Sequence, residues 1–109
     1  MIRAAALCCV LMLGACAEVE TAVDRTARQA ARGVVTETLA TRFPNLPKEQ
    51  ITPVTDCIID NAKAIELREF ARAAVAGVND LTVDVVRNIL TRPETVACVG
   101  NALLTKAQV

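Results

Sequence analysis

The chain has 109 residues with 12 Lys and Arg against 12 Asp and Glu, and it contains no histidine, tryptophan, tyrosine or serine. A formal net charge of zero and only two phenylalanines are not the signature of a nucleic-acid-binding protein. Without serine and histidine, a Ser-His-Asp triad and Cys-His catalysis are both excluded. The composition therefore favours a non-enzymatic protein with no cofactor and no nucleic-acid partner.

The N-terminus has the three parts of a secretory signal peptide. Arg3 precedes an apolar run over residues 4–13, and the small residues Gly14 and Ala15 follow it. The run is too short to span a membrane, which takes about 20 residues. A buried N-terminal helix is the alternative, but it accounts neither for Arg3 nor for the small residues. Residues 1–15 are therefore predicted to form a signal helix that is cleaved off.

The segment Leu13-Gly14-Ala15-Cys16 resembles the lipobox of bacterial lipoproteins. In that family the leader is cut before the cysteine, whose sulfur carries diacylglycerol and whose new amine is acylated. The resemblance, which covers the leader alone, implies that Cys16 is the lipidated first residue. The residue after the cysteine is Ala17 and not aspartate. In Gram-negative members of the family, the absence of aspartate at this position implies transfer to the outer membrane. Two or more acyl chains anchor a protein stably without a transmembrane helix.

Ordinary signal-peptidase cleavage is the rival interpretation of the leader. Residues 15–17 also fit the A-x-A pattern, and cleavage there would release a soluble periplasmic protein that begins at Glu18. Both routes place the mature chain in the bacterial cell envelope, on the periplasmic side of a membrane.

The five cysteines sort by the fate of the segments that contain them. Cys8 and Cys9 leave with the leader, and Cys16 is either lipidated or removed. Cys57 and Cys98 then remain in an oxidising compartment, where they are expected to pair. Closing a loop of this length stabilises a fold by about 4 kcal/mol in the chain-entropy model. Two buried free cysteines are the alternative. A redox site is not expected, because the chain has no C-x-x-C motif. A zinc site is not expected, because two cysteines without a histidine supply too few ligands.

Apolar residues recur at helical spacing and no strand-like alternation persists, so the mature domain is predicted to be all-α, a small bundle of four or five short helices tied by one disulfide. The first helical stretch runs from about Glu18 to Arg42. Its apolar residues fall on two nearly opposite faces, one with Val19, Val23, Ala27, Ala30 and Val34 and the other with Val35, Leu39 and Phe43. Gly33 lies between the two sets and predicts a bend, a break or a change of neighbour.

This pattern divides the chain into three predicted parts. The signal peptide occupies residues 1–15, an alanine-rich helical spacer occupies 16–33, and the helical domain occupies 34–109. The spacer would separate the bundle from the membrane.

Proline and glycine mark the later helix boundaries. Pro44 ends the first stretch, residues 44–52 are predicted to form a linker, and Pro53 at a first helical position begins a helix that ends at Asn61. Three more helices are predicted, over about Lys63–Ala76, Thr82–Leu90 and Pro93–Lys106. Thr91 and Glu94 have the spacing of a capping box.

The inner faces of these helices are predicted from the 3.6-residue period. The expected core positions are Val54, Cys57, Ile58, Leu67, Phe70, Ala71, Ala74, Val78, Val85, Val86, Ile89, Leu90, Val96, Val99 and Leu103. The expected polar face of the 63–76 helix comprises Glu66, Arg68, Glu69 and Arg72.

Two groups of charged residues are candidate contact sites. Arg25, Arg28 and Arg32 share one face and could contact anionic lipid headgroups or cell-wall polymer, at about 1 kcal/mol per basic residue near a charged surface. A solvated face is the alternative. Asp56 and Asp60 are one turn apart and could hold a cation or exchange protons, but such pairs are common on helix surfaces. No catalytic or metal site is predicted.

The segments 42–44 and 56–61 are similar to those of small uncharacterised bacterial envelope proteins, some of which carry a succinate dehydrogenase label. The residues do not supply that chemistry. The chain has no glycine-rich flavin-binding turn, too few cysteines for an iron–sulfur cluster and no histidine for haem.

The sequence as a whole predicts a non-enzymatic envelope lipoprotein that acts as a structural or interaction module for an unidentified envelope partner. The alternative function is a soluble periplasmic module that binds a small apolar ligand between its helices. A cavity above about 300 Å³ would favour this alternative, and a filled core would count against it.

Overall fold

The computed structural model describes residues 25–107, with side chains described as far as residue 105. This part of the chain forms five helices and no strand. They are α1 (25–42), α2 (Lys48–Asp60), α3 (Ala64–Ala76), α4 (Asp80–Leu90) and α5 (Pro93–Ala107). The predicted all-helical bundle with one disulfide is confirmed. The predicted signal peptide and Cys16 lie outside the described residues.

Helix α1 is continuous through Gly33, so the chain has no break there. Residues 25–29 are exposed, and burial begins at Ala31. The buried positions that follow lie on one face: Ala31, Val34, Val35, Thr38 and Leu39. At about 100° per residue these positions fall within a single arc. The expected division into two opposite faces was wrong, because Val34 packs with Val35 and Ala27 remains exposed.

Helix α2 begins five residues before the predicted start, so Pro53 lies inside it. The linker is therefore short and comprises residues 43–47. Lys48, Glu49 and Gln50 favour helix, and Ile51 packs against the core. Pro53 then costs one backbone hydrogen bond near the helix start.

Helices α3 and α4 match their predicted ranges to within two residues, but α3 turns a different face inward. Glu66, Phe70 and Ala73 are its buried residues. Ala71 and Ala74, which were expected inside, are exposed. Gly77 ends the helix with φ of 96°, a conformation that glycine adopts without steric cost.

The ends of α4 are set by two polar residues. Asn79 caps its N-terminus, where the Thr82 amide donates to Asn79 Oδ1 at 3.1 Å and the Asn79 amide donates to Thr82 Oγ1 at 3.2 Å. At the C-terminus, the Thr91 hydroxyl donates to the Asn88 carbonyl at 2.7 Å. The predicted capping box at Thr91 was wrong, because α5 begins at Pro93 and Arg92, not Thr91, directly precedes its first residue.

The core lies where α1, α2, α3 and α4 meet, and α5 packs on α2 and α4. Its buried apolar residues are Ala31, Val34, Val35, Leu39, Val54, Ile58, Ile59, Phe70, Ala73, Val86 and Ile89. Val96, expected inside, is 57% exposed. Of the three residues of α5 that were expected inside, Val99 and Leu103 are half-buried and Val96 is exposed.

Candidate functional site

Cys57 and Cys98 form a disulfide with Cα atoms 5.7 Å apart, which joins α2 to α5. Cys57 is buried and Cys98 is half-buried. The bond closes a loop across 41 positions of sequence. The pairing predicted from the cysteine count is therefore present, and it fixes the central helix of the bundle to the last one.

Beside this disulfide lies an apolar groove of about 430 Å³, which we call the Phe43 groove. Its floor and walls are apolar side chains from four helices and the 43–47 loop: Leu39, Phe43, Pro44, Leu46, Val54, Leu90 and Val99. Leu39 and Val54 are buried in the core, whereas Phe43 and Leu46 are half-buried. The volume falls within the range of small-molecule sites.

The disulfide positions two walls of the Phe43 groove. Val54 precedes Cys57 by one helical turn, and Val99 directly follows Cys98. Because the S–S bond holds α2 and α5 together, the distance between these walls is constrained covalently. The third wall comes from the loop, where the Leu46 amide donates to the Phe43 carbonyl at 3.1 Å.

The rim of the Phe43 groove is basic. Arg42 and Asn45 are its polar lining residues, and Arg42 pairs with Asp80 at 3.6 Å. The Arg87 guanidinium lies 5.9 Å from the centre of the Phe43 ring, a cation–π distance. Arg42 is therefore the basic residue in the lining, and Arg87 lies against the Phe43 ring from outside it.

A second depression of about 460 Å³ lies between α3 and α4. Ile65, Leu81 and Val85 supply its apolar surface, and Ile65 is 72% exposed. Its charged lining has both signs: Glu66, Arg68, Glu69 and Arg72. We call this the α3–α4 groove.

Glu66 and Arg92 form an ion pair that the sequence interpretation missed. Arg92 donates to Glu66 Oε1 at 2.8 Å and to the Asn61 carbonyl at 2.9 Å. Burial by itself would raise the pKa of Glu66, but the hydrogen bonds from Arg92 and the Lys63 amide outweigh it and lower that pKa. The position of Glu66, three residues after Lys63 at a helix start, indicated only its hydrogen bond from the Lys63 amide.

A neighbouring network joins α3 to α4. Arg72 donates two hydrogen bonds to Glu69, at 2.6 and 2.9 Å, and the buried Thr82 hydroxyl donates to Glu69 Oε1 at 3.0 Å. The hydrogen bond from Arg72 lowers the pKa of Glu69. Both acids of the α3–α4 groove are therefore held in the ionised form.

We expect Glu66→Gln to lower the free energy of unfolding by about 2 kcal/mol at neutral pH, because Arg92 keeps its charge and loses its anionic partner. The pKa of Glu66 is depressed in the folded state. Its contribution is therefore present above the unfolded-state pKa and is lost as the pH falls through the folded-state value. Urea unfolding of wild type and variant from about pH 7 to pH 3 measures this loss. The exposed Glu37→Gln is the control, and a stability difference independent of pH would contradict the expectation.

The three candidate arginines of α1 do not have equivalent surroundings. Arg32 forms a salt bridge to Asp56 of α2, so part of its role is to hold α1 on the bundle. Arg25 and Arg28 lie in the exposed first turns that precede the core. Asp60 is exposed, and across residues 25–107 no group of three or more acidic, cysteine or histidine side chains could hold a metal ion.

No protein-family model matches this chain, and searches of curated proteins and of solved structures found no significant match either. Among the described helices, none is both long and apolar enough to cross a membrane.

Proposed function

We propose that this protein is an exported, non-enzymatic lipoprotein of the bacterial cell envelope. Its helical domain faces the periplasm, anchored through Cys16, and works by binding another envelope component. The Cys57–Cys98 disulfide carries this proposal, because such bonds persist outside the reducing cytosol and are rare within it. The lipobox-like segment 13–16 supplies the anchor.

The start of α1 supports a connection between an anchor and the bundle. Residues 25–29 are exposed and helical, and the core begins only at Ala31. Arg25 and Arg28 lie in this exposed portion, where basic side chains close to an anionic surface each add about 1 kcal/mol of attraction. We infer that this exposed segment belongs to the helical spacer and gives it a basic surface.

We expect Cys16→Ala to abolish acylation of the protein. Cells fed a labelled fatty acid should yield a labelled wild-type protein and an unlabelled variant, and globomycin should block maturation of the wild type. Cys9→Ala is the matched control, because it removes a leader cysteine outside the lipobox-like segment. An unlabelled wild-type product that begins at Glu18 would contradict lipidation and leave an exported soluble protein.

The Phe43 groove favours a second candidate function, the binding of a small apolar ligand. It is an open surface groove of about 430 Å³, within the size range of small-molecule sites. Its lining is apolar apart from Arg42 and Asn45. Lipid anchoring and ligand binding involve separate parts of the chain, so either function is compatible with the other.

A further inference from the structure

We propose that the Phe43 groove binds a single-chain amphiphile with an anionic head, of the fatty-acid class. The alkyl chain would lie along the apolar floor, and the carboxylate would lie at the rim beside Arg42. This inference rests on the second candidate function, the binding of an apolar ligand, and adds the chemical class of that ligand.

The floor of the groove suits an alkyl chain. Leu39 and Val54 are 1% and 4% exposed, so they belong to the rigid core. Phe43 and Leu46 lie above them and are only half-buried, although both are large and apolar. At about 25 cal/mol per Å², covering such side chains with a hydrocarbon chain is favourable.

The lining of the groove supplies one positive charge. Among the described residues that line the groove, Arg42 is the only charged one. Its partner Asp80 has a side chain that is 97% exposed, and the partner of Arg87, Asp84, is 3.9 Å away and 72% exposed. Exposed pairs of this kind are weak, because water screens both charges. The Arg42 guanidinium can therefore turn from Asp80 to a ligand carboxylate at little cost.

The loop that forms one wall is stiff before any ligand arrives. Pro44 and Pro47 fix two of its φ angles, and the Phe43 amide donates to the Leu39 carbonyl at 3.2 Å. With α2 and α5 joined by the disulfide, little ordering remains to oppose binding.

The α3–α4 groove has a comparable volume but disfavours the same ligand. Glu66 and Glu69 line it, and hydrogen bonds from Arg92 and Arg72 keep both ionised. Arg68 and Arg72 line it as well, so a ligand carboxylate would meet two carboxylates beside the guanidinium groups, whereas the Phe43 groove has no acidic lining residue. Charge thus distinguishes two depressions that are both apolar.

The test uses three probes with the same twelve-carbon chain: dodecanoate, dodecanol and dodecyltrimethylammonium. Each is titrated calorimetrically, below its micelle concentration, into the full chain carrying Cys16→Ala, exported and purified without detergent. We expect dodecanoate to bind more tightly than dodecanol and the cation to bind most weakly. Arg42→Gln should weaken dodecanoate binding about fivefold, the upper end for an exposed ion pair, with dodecanol unaffected.

Leu46→Gln should weaken both dodecanoate and dodecanol at least tenfold, because it places an unpaired amide against the chain. Ile65→Gln is the matched control, since it makes the same change in the α3–α4 groove and should alter neither affinity. Thermal unfolding of each variant verifies that the fold is retained, and Arg42→Gln tests the proposal even if Leu46→Gln fails to fold.

Equal binding of dodecanoate and dodecanol, unchanged by Arg42→Gln, would overturn the anionic head and leave the apolar-ligand function standing. Failure of all three probes to bind would overturn both. If Ile65→Gln abolished binding and Leu46→Gln left the affinity unchanged, the ligand would bind in the α3–α4 groove, and the proposal would be overturned. A dimer in sedimentation that Leu46→Gln disperses, with no probe bound, would make the groove an interface between copies.

Discussion

Removing the Cys57–Cys98 disulfide is expected to lower the free energy of unfolding by about 4 kcal/mol. The bond closes a loop of 41 positions, and in the chain-entropy model the gain arises because the unfolded chain loses conformational freedom. Natural domains are stable by only about 5–15 kcal/mol. A loss of this size would therefore leave a substantial unfolded population at 37 °C.

Urea unfolding of the oxidised protein, the reduced protein and the Cys57→Ala/Cys98→Ala variant measures this effect. The reduced protein keeps both sulfur atoms, so its deficit reports the cross-link alone. The double variant adds the lost packing of Cys57, which is 2% exposed. Equal stabilities of the oxidised and reduced proteins would contradict the expectation. Dodecanoate affinity should also fall on reduction, because Val54 and Val99 lose their covalent spacing.

Phe70→Ala is expected to cost about 3–5 kcal/mol. Phe70 is fully buried on α3 and belongs to the central apolar cluster. Truncation removes its transfer free energy and leaves a cavity between helices whose backbones are fixed by the rest of the core. This position therefore tests the packing of α3 on the bundle.

The matched control is Val75→Ala on the same helix, where the side chain is 92% exposed. That change should alter the free energy of unfolding by less than about 0.5 kcal/mol. Denaturant melts monitored by circular dichroism compare the two variants. A similar small cost at both positions would mean that α3 does not bury Phe70. Phe70→Leu, with a smaller expected loss, keeps the comparison measurable if Phe70→Ala does not fold.

The two stability predictions bear on the proposed function through the Phe43 groove. The disulfide fixes the spacing of its lining residues Val54 and Val99. Leu39 and Val54 also belong to the core that contains Phe70. A weakened core should therefore weaken ligand binding indirectly. For this reason the surface variant Arg42→Gln, and not a core variant, decides the ligand's charge.

The boundaries of α3, α4 and α5 could be predicted from the sequence because local chemistry sets them. Pro93 fits the first turn of a helix, Gly77 adopts the positive φ at the end of α3, and Asn79 supplies a capping oxygen. The Cys57–Cys98 pairing was predictable for a different reason. Once Cys8, Cys9 and Cys16 are assigned to the leader and its cleavage region, only one pair of cysteines is left to form a disulfide.

The start of α2 was not predictable from Pro53. The sequence does not distinguish a proline that is the first residue of a helix from one that is the sixth, as Pro53 is here. The packing of Ile51 on the core decided between them. The loop 43–47 was interpreted as a linker, and only the arrangement of α2, α4 and α5 around it makes Phe43 and Leu46 the walls of a groove.

By itself, the sequence determined the helical class, most helix ends and the single disulfide, because these depend on neighbours along the chain or on counting. The helical period also predicted the buried positions Val54, Cys57 and Ile58 of α2 and Val86 and Ile89 of α4. Tertiary structure decided which face of α3 is buried. On alanine-rich α3, several stripes are nearly equal in hydrophobicity, so Ala73 is inside and Ala74 outside according to where α1 and α4 lie. It also decided that Glu66 is buried, since the guanidinium that compensates its charge comes from Arg92, 26 positions away.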